Sequence, residues 1–214
     1  MSATLGFVHR YVPAPDPSGP EARSTLLLLH GTGGNEEDLL PLGPMLLPGA
    51  AMLSPRGQVL ENGMPRFFRR LAEGVFDQED LVRRTADLGA FVREAAKAYR
   101  LEPAGIVAVG FSNGANIAAS VLLRNPGTLP RAVLLSPMLP FEVDEPPALA
   151  GTRVFIGAGE TDAMVPRDRL EPLVAVLRAG GADVTVRWDP AGHTITPGEI
   201  AAAREWLREG ATGR

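Results

Sequence analysis

Apolar residues along the chain fall into short unbroken blocks, separated by longer stretches in which they recur every three or four positions. Thr25-Leu26-Leu27-Leu28-Leu29 is a continuous apolar run of the kind expected in a strand covered on both faces. Gly105-Ile106-Val107-Ala108-Val109 has the same character, and strands are expected also near residues 5–12, 50–54, 131–135, 153–157 and 183–187. Leu81, Thr85, Leu88, Val92, Ala95 and Tyr99 keep helical spacing, with Arg83, Arg84, Asp87, Arg93, Glu94 and Lys97 between them, which predicts an amphipathic helix from about 80 to 100. Further helices are expected over 113–124, where Asn125-Pro126 stops it, and near 167–179. Thr196-Pro197-Gly198-Glu199 opens the last helix as a capping box, with a hydroxyl at the cap, Pro in the first turn and Glu three residues on. Strands alternating with helices predict an α/β fold, a mostly parallel central sheet with helices on both faces. In such sheets, function sits at the carboxyl ends of the strands.

Gly and Pro are scattered between these blocks rather than gathered into a linker, and there is no internal repeat, so 1–214 is expected to be a single domain. Ala14 to Pro20 is expected to form a turn between the first two strands. Pro103 to Leu123 carries no formal charge, but the polar, glycine-broken Ser112-Asn113-Gly114-Ala115-Asn116 at its centre fits a strand, turn and helix rather than a membrane span. Residues 1–20 lack the charged start and apolar core of a secretory signal, and a cytoplasmic location is expected.

Composition then narrows the chemistry. The chain has no cysteine, which removes disulfides, thiolate nucleophiles and cysteine metal sites together. Its formal net charge of −4 offers no basic surface for nucleic acid. The one lysine, Lys97, lies on the wet side of its helix; there is no phosphate-binding Gly-Lys-Ser/Thr loop, and a catalytic Schiff base is disfavoured. Histidines number three: His9, His30 and His193.

Gly110-Phe111-Ser112-Asn113-Gly114 fits the nucleophile-elbow pattern G-x-S-x-G. Chance would supply only about 0.09 such strings in a chain of this composition, and this one lies between a β-branched strand and an apolar helix, where the motif belongs. The turn strains the serine backbone, and glycines two residues before and after it avoid collisions with neighbouring structure. A serine hydroxyl needs a base to take its proton, and chain order in this fold class runs serine, acid, histidine. One histidine follows Ser112, so His193, in Pro190-Ala191-Gly192-His193, is the candidate base by elimination. The loop after the strand at 153–157 offers Glu160 and Asp162 as the acid; Asp162 is preferred, with Glu160 read as a solvated carboxylate. Asp144, Asp168, Asp183 and Asp189 are read as surface charges or helix-start acids. The oxyanion formed on attack needs prearranged donors: the backbone N–H of Asn113, directly after the nucleophile, and that of Thr32 in the glycine-rich loop His30-Gly31-Thr32-Gly33-Gly34-Asn35. His30 is read as a structural histidine bonding that loop, and His9 as a surface residue. The loop has Glu36 where a dinucleotide fingerprint requires its third glycine, and no H-x-x-x-H pair is present, so no cofactor or metal site is expected.

These motifs together resemble the α/β-hydrolase superfamily, in its carboxylesterase/phospholipase branch of small serine esterases that also includes acyl-protein thioesterases. The markers are His30 to Gly34 with Asn35-Glu36-Glu37-Asp38-Leu39, Gly110 to Ala118, Asp162 with Val165-Pro166, and Gly192-His193, spread over about residues 5–208. Ser112 to Asn116, with Leu53-Ser54-Pro55-Arg56-Gly57 and Pro65-Arg66-Phe67-Phe68-Arg69-Arg70, is similar to bacterial esterases associated with hydroquinone resistance. Many thioesterase relatives carry Gln after the serine where this chain has Asn113, a departure that bears on protein deacylation and not on hydrolase chemistry. The resemblance implies a small-molecule ester as substrate, no cofactor and a homodimer. Thioesterase or lysophospholipase action on the same triad stays open. So do two readings from other classes, a metal-dependent hydroquinone dioxygenase and a catalytically silent fold used for binding.

Only 17 residues, Ser136 to Thr152, separate two strands at the point where larger relatives insert a helical cap, so an open site is expected. The longest non-periodic segment, Pro55 to Glu79, holds Arg66, Phe67, Phe68, Leu71 and Phe76. Phe67, Phe68 and Phe76, with Met164 beside the acid, are the candidate lining of an acyl or aryl pocket.

Overall fold

The computed structural model, which describes residues 5–209, turns the apolar blocks into β1 (His9–Val12), β2 (Thr25–Leu29) and β3 (Ala51–Pro55). Two small hairpins follow, β4 (Val59–Glu61) with β5 (Met64–Arg66) and β6 (Arg70–Ala72) with β7 (Val75–Phe76). The later strands are β8 (Ile106–Phe111), β9 (Arg131–Leu135), β10 (Arg153–Gly159) and β11 (Asp183–Asp189). Helices are α1 (Gly43–Leu46), α2 (Gln78–Tyr99), α3 (Asn113–Arg124), α4 (Arg167–Ala179) and α5 (Pro197–Glu209). Seven strands form one sheet in the order β1-β3-β2-β8-β9-β10-β11, parallel throughout except for β1, which runs antiparallel to β3 at one edge.

Strand pleating divides the core in two. Leu27 and Leu29 of β2 face a layer holding Leu81, Leu88, Phe91 and Val92 of α2, Ile117 and Val121 of α3, and Leu170, Leu173 and Leu177 of α4. Leu26 and Leu28 face the opposite way, onto Leu46 of α1 and Ala203, Trp206 and Leu207 of α5. The all-buried β2 therefore has no polar face because it has no wet face. Helix α2 begins where the Asp77 side chain accepts the Asp80 N–H at 3.0 Å and ends at Arg100 in the left-handed region, φ 56°. The expected capping box forms at α5: Thr196 Oγ1 accepts from Glu199 N at 3.0 Å, and Glu199 Oε2 accepts from Thr196 N at 2.9 Å.

The chain runs from β2 outward to β3 and returns beyond β2 to β8, so strand order reverses between β2 and β8. Loops leaving the carboxyl ends of two neighbouring strands diverge at that reversal, opening a crevice. The 17-residue stretch after β9 holds no helix, as expected. Pro55 to Glu79, read as a loop, instead folds back as the two hairpins over the crevice. Among the described residues no helix is long and apolar enough to cross a membrane, and residues 103–123 resolve into a 3₁₀ turn, β8 and most of α3.

Candidate active site

Strand β8 ends at Phe111, and the chain turns through Ser112 into α3 with the serine at φ 51°, ψ −113°, a strained backbone. Two close approaches explain the flanking glycines. A Cβ on Gly110 would lie 2.6 Å from the Gly114 carbonyl carbon, and one on Gly114 would lie 1.9 Å from the Leu29 carbonyl oxygen. The turn is pinned from outside by Ser112 N donating to Leu135 O of β9 at 2.9 Å. The hydroxyl is thus fixed above the sheet, one strand from the crevice loop after β2.

His193 follows β11, and its ring bridges two side chains from distant parts of the sequence. Nε2 lies 2.9 Å from Ser112 Oγ, and Nδ1 lies 2.7 Å from Asp162 Oδ2. Asp162 sits just past β10 and is 3% exposed. Its second oxygen, Oδ1, accepts from the amides of Met164 and Val165, each at 2.9 Å. Burial works against its charge, but the Val165 N–H, the His193 ring and the Met164 N–H together hold its pKa below the ordinary carboxylate value. An ionised Asp162 accepts a hydrogen bond from Nδ1–H, a tautomer that leaves Nε2 free to accept from the serine hydroxyl. The loops that carry His193 and Asp162 are tied to each other as well. Glu160 N donates to Asp189 O at 2.8 Å and Thr161 N to Ala191 O at 3.0 Å. Glu160 itself points into solvent.

The loop after β2 carries Thr32. Its own hydroxyl accepts from Arg66 Nη1 at 2.7 Å, and the neighbouring Gly33 N donates to Pro65 O at 2.9 Å, so the first hairpin holds the loop in place. Asn113 is the first residue of α3, where backbone N–H groups have no intrahelical partner. Neither the Thr32 nor the Asn113 N–H is taken up by a hydrogen bond among the described residues. Asn113 Oδ1 accepts from Phe67 N at 2.7 Å, tying elbow to hairpin. His30 is buried beneath the loop: Nδ1 donates to Gly31 O at 2.7 Å and Nε2 accepts from Gly57 N at 2.9 Å. Burial lowers its pKa, consistent with this neutral tautomer, and it bonds the loop as expected of a structural histidine.

Thr32, Asn113, Ser112 and His193 line one cleft, together with Arg66, Arg70, Glu73, Gly74, Phe76, Asn116, Met138, Met164 and Val165. The cleft encloses only about 40 Å³. Phe76 and Met164 thus stand where a pocket lining was expected, but Phe67 and Phe68 do not. Phe67 (2% exposed) packs on the His30 ring at 4.7 Å, and Phe68 (fully buried) meets Phe76 edge-on at 4.9 Å. Both are core side chains under the hairpins, because the hairpins have an apolar face of their own to bury. Two further readings change. His9 is half-buried rather than free on the surface: Nδ1 donates to Phe7 O (2.7 Å) and Nε2 pairs with Tyr99 Oη (2.6 Å). Asp189 is buried rather than solvated, taking the Arg187 Nε at 2.6 Å and the Thr196 hydroxyl. Asp144, Asp168 and Asp183 are exposed, as read. Arg66 lines the cleft, as a residue of the segment expected to line a pocket, and Arg70 joins it although nothing in the pattern distinguishes a buried arginine from a solvated one. A dioxygenase constellation of two histidines and a carboxylate is not formed among the described residues, where no three His, Cys, Asp or Glu side chains come together as metal ligands.

A phospholipase/carboxylesterase family model matches residues 16–210. The chain belongs to that family. Within it, the chain is 51% identical over 186 residues to MhqD of Bacillus subtilis (strain 168), named as a hydrolase, spanning 87% of this chain and 93% of that one. Among solved structures it is similar to the Bacillus cereus carboxylesterase, at 48% identity and a TM-score of 0.92, over 97% of this chain and 96% of that one. It is likewise similar to a carboxylesterase from Mesorhizobium loti, at 35% identity and a TM-score of 0.89, over 96% of each chain. Family membership makes the protein an esterase-type serine hydrolase of the single-domain α/β-hydrolase fold.

Proposed function

We propose that this family member is a serine carboxylesterase, acting on short- to medium-chain carboxylic esters through an acyl-enzyme, with Ser112 as nucleophile, His193 as base and Asp162 as its orienting acid. The observation that carries the reading is the unbroken relay from Ser112 Oγ through both ring nitrogens of His193 to a buried Asp162, at 2.9 and 2.7 Å. In the forward step Ser112 Oγ attacks the ester carbonyl carbon and its proton passes to His193 Nε2. Asp162 stabilises the resulting imidazolium without taking the Nδ1 proton. Negative charge gathers on the former carbonyl oxygen, for which the free N–H groups of Thr32 and Asn113 are donors. Collapse expels the alcohol, which leaves with the proton from Nε2. Water then enters from the capless side, gives a proton to His193 and attacks the acyl carbon, and the acid is freed as the leaving Ser112 Oγ takes that proton from Nε2. A cleft of about 40 Å³ favours a small acyl group beside the serine, with the rest of the ester lying over the rim.

The test is turnover of a p-nitrophenyl ester series from acetyl to octanoyl, together with fluorophosphonate labelling. Wild type should be labelled and active. Ser112→Ala should lose labelling and at least about four orders of magnitude in kcat. Residual activity or labelling close to wild type in that variant would remove the serine from the mechanism.

A further inference from the structure

One corner of the cleft has no part in the relay. Arg66, 3% exposed, gives Nη1 to Thr32 Oγ1 and Nε to Phe68 O at 3.2 Å, and lies 3.2 Å from Glu61 Oε2. Arg70 gives Nε to Glu61 Oε1 at 2.9 Å. A single carboxylate thus serves two guanidinium groups, and both arginines line the cleft beside Ser112. Burial and then the Arg70 charge disfavour the charged form of Arg66, so the pair is held together at a cost that one carboxylate only partly offsets. Arg70 Nη1 and Nη2 make no hydrogen bond among the described residues. Around this corner stand one more cation, Arg169, whose Nη1 donates to Gly74 O at 3.2 Å, and one more carboxylate, the exposed Glu73. Asp162 lies behind the imidazole with three N–H donors already on it. The local excess is one positive charge, carried on an unused planar fork of donors. A phosphate dianion would overshoot that charge, whereas a carboxylate matches it in charge and bidentate geometry.

We infer that Arg70, backed by Arg66 and Glu61, is a carboxylate-binding subsite, and that the preferred substrates are esters carrying a carboxylate close to the scissile bond. This rests on the proposed esterase reading and narrows its substrate class. Two matched pairs locate the charge: mono-p-nitrophenyl succinate against p-nitrophenyl butyrate in the acyl part, and 4-acetoxybenzoate against its methyl ester in the alcohol part. In at least one pair, wild type should favour the carboxylate in kcat/KM by about tenfold or more. Arg70→Gln should bring that ratio down to near one, mainly through KM, and Arg70→Lys should keep most of it. Succinate should inhibit butyrate hydrolysis competitively at fixed ionic strength, more strongly than inorganic phosphate, and Arg70→Gln should weaken the inhibition.

Equal rates within both pairs, a ratio unchanged in Arg70→Gln, or phosphate inhibiting as well as succinate would each overturn the subsite. The esterase reading fails separately, on Ser112→Ala retaining turnover. In that event calorimetric titration of succinate into Ser112→Ala still decides the subsite: saturable binding that Arg70→Gln weakens upholds it, and no heat of binding overturns it.

Discussion

At the scale of single residues, the site depends on a few side chains whose surroundings leave them little choice of state. Asp162 is the clearest. Its depressed pKa means that its stabilising contribution is fully present above the ordinary aspartate value near 3.8 and is lost as pH falls through the lower folded value. Asp162→Asn keeps the shape but offers an amide where a carboxylate accepted the Nδ1–H hydrogen bond, so the ring can settle in the wrong tautomer. We expect kcat to fall by about four orders of magnitude, with KM for a p-nitrophenyl ester moved far less, as steady-state kinetics would register. Much at this scale was legible in the sequence. Ser112 and His193 followed from a motif and from the scarcity of histidine, and the structure brings the His193 ring within hydrogen-bonding distance of both Ser112 and Asp162. Asp189 is buried and His9 half-buried where both read as surface residues, since a charged or polar residue at a strand end looks solvated until its partners, here Thr196 and Tyr99, fold against it.

At the scale of elements, strand and helix placement followed the hydrophobic pattern closely, and α3 and α4 span the residues expected. The hairpins between Pro55 and Glu79 were invisible because strands of two or three residues are too short to show a period. The start of α5 carries a testable device. Glu199 is 1% exposed; burial, reinforced by the Asp189 charge, raises its pKa above the ordinary 4.5 despite the Thr196 N–H it accepts. A raised folded value makes its contribution to stability greatest below the unfolded pKa, and that contribution drains away as pH climbs through the folded value. Glu199→Gln retains the acceptor for Thr196 N and removes the titration. Urea unfolding between pH 4 and 7 should therefore show this variant gaining on wild type as pH rises. A constant difference across that range would contradict it.

At the scale of the whole molecule, the site lies where the sheet with its helices meets the hairpin pair laid over the crevice. The hairpins are anchored by Phe67 and Phe68, which enter the same core as α2 and α3. Phe68→Ala should accordingly cost about 3–5 kcal/mol in chemical denaturation, and kcat/KM along the ester series should fall evenly rather than shift toward one chain length. A selective change in chain-length preference with stability intact would return Phe68 to the pocket. The sequence could place aromatic residues in this segment but not decide which way they turned, because orientation is set by a core assembled from residues far away in the chain.

The loop that carries His193 leaves the outermost strand. β11 pairs with one neighbour only, alternates exposed and half-covered residues over most of its length, and is the last strand to join the sheet in chain order. The serine, by contrast, is planted between central strands. Margins open more cheaply than centres, so fraying at that border would silence the chemistry while most of the architecture stood. Heat or denaturant should switch the enzyme off ahead of the transition seen by a probe of overall helicity.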